Sequence, residues 1–310
     1  MRLWRYRKCS GIIWEGKRGF KNMKKEQKIT FIDLFAGIWW FHMAFHNVWW
    51  KCVFASEWDE SARKTYEVNF SKTEKDLFDS WNFIGDITKI NPSDIPNFNI
   101  LCAGFPCQPF SQAWFKKWFN ETRGTLFFDI VQIIKEKQPE AFFLENVRHL
   151  LKHDNGKTFE VIQRTIEEEL GYSFFYKIVR ASDFWLPQNR PRLFMVWFRD
   201  KSIKFEFPNP LPLQMTMSDI WWWKCHKDIW FTLRVWGRWS KIDDRRNWDS
   251  YFVNDEIRRL TPREWKKMQW FPDSFIFPWS DTESMKQLWN SVAIPAIQAV
   301  AEKIITYLKK

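Results

Sequence analysis

The sequence predicts an α/β protein with a doubly wound, mostly parallel sheet and a smaller irregular domain attached. Two observations predict the sheet. Short apolar runs alternate with longer polar–apolar stretches from Ile29 to about Arg199, the rhythm of strands joined by covering helices. A glycine turn, Ala36-Gly37, follows the first apolar run directly, where doubly wound folds hold nucleotides. A third observation predicts the attached domain. Residues 200–257 lose the alternation and carry Pro208, Pro210, Pro212 and many aromatics.

Residues 1–28 are basic and lack a sustained period, so they are expected to form a disordered or spurious extension, with Met23 the better start. Strands are expected at Ile29–Phe35, Lys51–Ser56, Ile100–Cys102, Ala141–Glu145 and Leu193–Phe198. A further strand end is expected before Asp86. Helices are expected at Leu126–Lys137 and Phe159–Leu170. Thr261-Pro262-Arg263-Glu264 reads as a helix start, with threonine before proline and an acid close behind. Ile294–Leu308 reads as the last helix. No internal repeat is visible. The expected units are 29–199, 200–280 and a returning segment, 281–310.

The chain has 310 residues and a net charge of +11, with basic residues scattered rather than gathered in a tail; this favours a polyanionic partner. Five cysteines without paired spacing argue against a disulfide framework or a metal site, and fit a reducing, cytoplasmic setting. No stretch reads as a membrane span, and the first residues lack a signal-peptide core. There are 23 tryptophans and only 10 glycines; glycine is usually about 7% of residues.

The run Gly104-Phe105-Pro106-Cys107-Gln108-Pro109-Phe110-Ser111 follows an apolar strand, so two prolines brace a cysteine at a sheet edge. A thiol there can serve as a nucleophile if a nearby cation or helix end lowers its pKa. Glu145 ends a strand in Glu145-Asn146-Val147, and a carboxyl in a dry pocket can stay protonated and donate a hydrogen bond. Arg190 and Arg192, in Gln188-Asn189-Arg190-Pro191-Arg192, alternate into an apolar strand and so point to opposite faces. One can hold a substrate carbonyl while the other holds structure. Glu57 and Trp58 follow the second strand, where an acid can bind ribose hydroxyls and an aromatic can stack on adenine. Asp86 follows the third.

In this order, Phe31-Ile32-Asp33-Leu34-Phe35-Ala36-Gly37, Pro106-Cys107-Gln108, Glu145-Asn146-Val147 and Gln188-x-Arg190-x-Arg192 resemble the DNA cytosine-5 methyltransferases of restriction–modification systems. The resemblance spans about residues 29–308. It implies a Rossmann-like catalytic domain at 29–199 and a target-recognition domain within 200–280. It implies S-adenosyl-L-methionine as methyl donor, with Phe35, Gly37, Ile38, Glu57, Trp58, Asp86, Ile87, Gly104, Pro106, Leu126, Asn290 and Val292 lining its pocket. Cys107, Glu145, Arg190 and Arg192 are then the catalytic set, with Arg192 the arginine in the pocket. Such an enzyme swings its target base out of the duplex. Gln108, Ser111 and Gln112 are candidates for contacting DNA there. Thr232 and Leu233 match the family's short recognition element, and Arg234 and Arg238 follow it. The expected partners are double-stranded DNA and a cognate restriction endonuclease. The expected state is a cytoplasmic monomer away from membranes.

The chain departs from that pattern at its glycines. Trp39 and Trp40 follow Gly37-Ile38 where the family pattern has Gly-Gly, and Trp185, Trp197, Trp270 and Trp289 also stand where relatives usually have glycine. Two indoles in the cofactor loop are expected to obstruct it. A second reading is therefore a DNA-binding protein without activity. A third is a tRNA-directed relative, but the Cys-Phe-Thr element of that group is absent from the sequence.

Overall fold

The computed structural model describes residues 29–38, 40–48, 50–106, 126–231, 240–244 and 246–309. Seven strands form one sheet: β1 (Thr30–Leu34), β2 (Lys51–Ser56), β3 (Phe83–Ile84), β4 (Ile100–Ala103), β5 (Ala141–Val147), β6 (Ser173–Val179) and β7 (Arg192–Phe198). Their order is β3-β2-β1-β4-β5-β7-β6. The first five strands are parallel, and β7 runs antiparallel to both its neighbours. The expected doubly wound, mostly parallel sheet is what the chain forms.

Alternation along the central strands sends successive side chains to opposite faces. Phe31, Cys102 and Phe143 join one apolar cluster; Ile32, Leu101 and Phe142 join the other. Both faces are buried, so these strands read as continuous apolar runs. One face is covered by α1 (Trp40–His46) and the last helix, α9 (Ile294–Leu308), which pack together. Between them lie α2 (Glu60–Phe70), α3 (Lys75–Asp79), α4 (Leu126–Lys137), α5 (Lys157–Arg164), α6 (Met217–Trp221), α7 (Pro262–Met268) and α8 (Asp281–Asn290), numbered among the described residues. On the other face α4 buries Phe127, Ile130, Val131 and Ile134, one stripe at helical spacing. Each such side chain contributes about 1.5–3 kcal/mol by burial.

The Leu126–Lys137 and Ile294–Leu308 helices have the bounds expected from sequence. The Phe159–Leu170 helix is split into α5 and a wide turn at Thr165–Glu169. β6 was not among the expected strands. It is an edge strand, half-exposed along most of its length, so it lacks the continuous apolar run of its neighbours. Thr261 starts α7 through reciprocal bonds with Glu264, as its spacing predicted. Outside the sheet, β8 (Ser250–Val253) and β9 (Glu256–Arg259) form a hairpin turned by Asn254 and Asp255, both with positive φ.

Contrary to the expectation from sequence, the 28-residue stretch Asp281–Leu308 contains an 18-residue window with a mean hydropathy of 1.2, long and apolar enough for a membrane span. It is two helices broken at Ser291–Ala293, and the apolar face of α9 is buried in the core. The N-terminal extension, residues 1–28, lies outside the described residues.

Candidate active site

Because β1 to β5 are parallel, their carboxyl ends meet along one edge of the sheet, and antiparallel β7 enters at that edge. Val147, at the end of β5, pairs with Arg192, at the start of β7. A cavity of about 880 Å³ opens along this edge.

Its outer half is built from the first three strand ends. The turn after β1 places Phe35 and Gly37 at φ near +56° and hangs on β2 through Ala36 N–H to Ser56 O, 2.9 Å. The Glu57 carboxylate accepts Gly37 N–H at 2.7 Å and Asp59 N–H at 2.8 Å, so it fixes the turn and its own loop together. Burial raises the Glu57 pKa, and those two backbone bonds oppose the rise. Trp58 is 71% exposed at the cavity wall, an open aromatic face beside an acid. Asp86 accepts Thr88 N–H at 3.0 Å and the Thr88 hydroxyl at 2.7 Å, which caps the turn at Ile87–Lys89.

The inner half carries the polar groups of β4, β5 and β7. Glu145 Oε1 lies 3.1 Å from Arg192 Nε, an ion pair without the alignment of a hydrogen bond. Burial raises the Glu145 pKa from its ordinary value, while the Arg192 and Arg190 charges oppose the rise. Asn146 Nδ2 donates to Phe105 O at 2.9 Å, tying β5 to the Gly104–Pro106 segment. Pro106, immediately before Cys107 in the chain, lines the cavity.

Arg190 points elsewhere. It is 2% exposed, donates to Ser291 O at 2.7 Å and to Trp289 O, and is absent from the cavity wall. Of the two alternating arginines, Arg192 faces the cavity and Arg190 anchors the α8–α9 junction. That junction supplies Asn290 and Ser291 to the wall. Val292, expected in the pocket, is instead packed in the core. The other expected lining residues, Phe35, Gly37, Ile38, Glu57, Trp58, Asp86, Ile87, Gly104, Pro106 and Leu126, share the one cavity.

The structure adds residues that motifs did not reveal. Lys286 and Gln287 of α8 line the cavity and reach α2: Lys286 Nζ lies 3.2 Å from Asp59 Oδ2, and Thr65 donates to Gln287 Oε1 at 2.9 Å. Some 220 residues separate these partners, and neither segment has a marked pattern. The Trp40 indole, 3% exposed, lies between the turn and β4. Its Nε1 is 3.3 Å from where a Gly37 Cβ would sit, and a Gly104 Cβ would run into its Cζ2 and Cη2. Trp39, Cys107, Gln108, Ser111, Gln112, Thr232, Leu233, Arg234 and Arg238 lie outside the described residues.

The C-5 cytosine-specific DNA methylase family matches residues 29–222 and 222–306. The chain is similar to the type II methyltransferases M.SsoII of Shigella sonnei (43% identical, covering 89% of this chain and 80% of that one) and M.HpaII of Haemophilus parainfluenzae (40%, 93% and 92%). M.HhaI of Haemophilus parahaemolyticus is 36% identical over 90% of this chain and 96% of its own. Among solved structures, the Entamoeba histolytica methyltransferase EhMeth shares the fold with a TM-score of 0.68 over 92% of this chain and 100% of that one, at 18% identity. The S. pombe Dnmt2 methyltransferase gives 0.68 over 91% of this chain and 100% of its own, at 16% identity. By sequence and by fold, the chain belongs to the C-5 cytosine-specific DNA methylase family.

Proposed function

We propose that this chain methylates carbon 5 of a flipped-out cytosine in double-stranded DNA, with Cys107 forming a transient covalent adduct and S-adenosyl-L-methionine as donor. The observation that carries the reading is Glu145 beside Arg192 in the wall of a cavity that also holds Pro106. Carbon 5 of cytosine is a poor nucleophile. A thiolate that adds to carbon 6 makes carbon 5 enamine-like, and splits one hard step into easier ones. Protonated Glu145 donates to ring nitrogen 3 as charge builds there, and Arg192 holds the ring carbonyl. Once carbon 5 carries the methyl group, its proton passes to water and the thiolate leaves carbon 6, which restores the aromatic ring. The donor, when bound, supplies a methyl group on a sulfonium centre.

The nucleoside end of the cavity suits that donor: Glu57 and Asp86 offer oxygens, and Trp58 offers a stacking face. The space between Gly37 and Gly104 does not. Glycine at 37 and 104 lets a ligand approach bare backbone, and the Trp40 indole packs against both. The same observation favours a second reading, a DNA-binding protein without activity. We assign residues 29–199 to catalysis, 200–280 to target reading and 281–310 to closing the donor pocket.

Transfer of labelled methyl groups to DNA tests the reading. In a parent that transfers methyl groups, a glycine-restored one if Trp40 blocks the donor, Cys107→Ser should abolish transfer while DNA binding survives, because only the adduct needs sulfur. A folded serine variant that methylates at the parent's rate would remove Cys107 from the mechanism.

A further inference from the structure

Ten non-glycine residues have positive φ among the described residues, and four of them are tryptophan: Trp81, Trp185, Trp222 and Trp270. Asn and Asp tolerate this region, but a bulky side chain there is an outlier. Only three described glycines share it. Each of the four is a turn or a helix end.

Trp270 is the clearest. It follows α7 with φ +66°; its N–H bonds Lys267 O at 3.0 Å, and Phe271 N–H bonds Lys266 O at 3.1 Å. These are the paired bonds of a Schellman motif, whose left-handed residue is usually glycine. Trp222 ends α6 in the same left-handed region, φ +62° and ψ +18°. Trp81 turns at φ +58° while 88% exposed, so no burial of its ring offsets the conformation. Sequence motifs had not singled out Trp81 or Trp222.

Packing gives a second, independent sign. Trp40 packs its indole against both Gly37 and Gly104 in the cavity wall. Trp230 is fully buried with its ring centroid 3.3 Å from that of Tyr251. Stacked rings ordinarily sit at about 4.5 Å or more. Trp265 differs: it lies in the interior of α7 at ordinary helical φ, buried against Trp248. At Trp197, stacked between Phe142 and Phe174 in β7, the backbone makes no demand for glycine.

We infer that the fold reserves positions 81, 185, 222 and 270 for glycine, and that the working form of this protein carries glycine there and at position 40, where the indole closes its donor pocket. One exchange repeated at unrelated turns has one cause: a UGA codon, read as glycine where the gene is expressed naturally and as tryptophan in this chain. The inference rests on the donor site proposed above, but its backbone part does not.

Three measurements test it. In calorimetric titration with S-adenosylmethionine, Trp40→Gly should bind about tenfold or more tighter than the parent. Trp40→Ala, which clears the same space without a helix glycine, should also gain. Equal affinity of the parent and both variants overturns the role of position 40. In thermal melts, Trp81→Gly and Trp270→Gly should exceed Trp81→Ala and Trp270→Ala by about 2–4 °C, since each pair loses the same ring and differs mainly in tolerance of positive φ. Alanine variants that melt as high as glycine variants overturn the conformational argument. The gene should read UGA at 40, 81, 185, 222 and 270; UGG there overturns the decoding. A glycine-restored chain that binds the donor yet leaves DNA unmethylated upholds this inference and sinks the proposed reaction instead.

Discussion

In the proposed reaction Glu145 must hold its proton, and burial raises its pKa in that direction. A raised pKa in the folded state means that the folded chain binds more protons than the unfolded one. Its contribution to stability is full below the unfolded glutamate pKa and is lost as pH rises through the folded value. The same window should govern catalysis: in a chain with an open donor pocket, kcat should fall as pH climbs through the raised Glu145 pKa. Glu145→Gln keeps an N–H donor that does not titrate. It should flatten that limb at a rate lower by roughly 10²-fold. An unchanged alkaline limb in the glutamine variant would take Glu145 out of the donor role.

At the scale of elements, the entry to β7 and the α8–α9 junction are joined by one side chain. Arg190 carries two carbonyl oxygens of that junction, Trp289 O and Ser291 O, from a fully buried position. Hydrogen bonds to charged groups contribute about 1.5–3 kcal/mol each. Arg190→Ala should therefore lower stability by about that much or more, and should loosen Asn290 and Ser291 at the donor wall. In a glycine-restored chain it should raise the KM for S-adenosylmethionine more than it lowers kcat. Lysine, a point donor without the planar fork, should restore little. An effect on kcat alone would place Arg190 at the reacting base instead. Asn146 plays the parallel part for the Gly104–Pro106 segment, through its bond to Phe105 O.

For the whole molecule, the excess of 48 basic over 37 acidic residues is an electrostatic statement about its partner. Phosphate contacts release condensed counterions, so log affinity for duplex DNA should fall linearly with log salt, with a slope of about −0.9 per phosphate neutralised. A binding titration between low and physiological salt checks this. A flat response would argue against a broad phosphate-binding face. The C-terminal return also acts at this scale. Lys286 and Gln287 bridge α8 to α2, so the last elements of the chain close a pocket begun by the first strand.

The sequence by itself determined the sheet and most of the residues around its open edge. Apolar runs such as Ile100–Cys102 and Ala141–Glu145 can be buried on both faces only within a covered sheet. Parallel strands then bring Gly37, Glu57, Asp86, Gly104 and Glu145 to one edge without further instruction. What sequence left open depends on partners distant along the chain. β6 was not picked out because an edge strand lacks a two-sided apolar signature, and strand direction leaves no periodic trace, so antiparallel β7 was not legible either. The choice between Arg190 and Arg192 followed from alternation only as a pair; Ser291 O decided which one turned inward. Val292 was expected in the pocket and lies in the core, because helix packing at the α8–α9 junction sets its direction. The tryptophans show the division most plainly. Motif spacing marked Trp40 and Trp270 as glycine sites, but only backbone dihedrals, fixed by hydrogen bonds in three dimensions, revealed the same demand at Trp81 and Trp222.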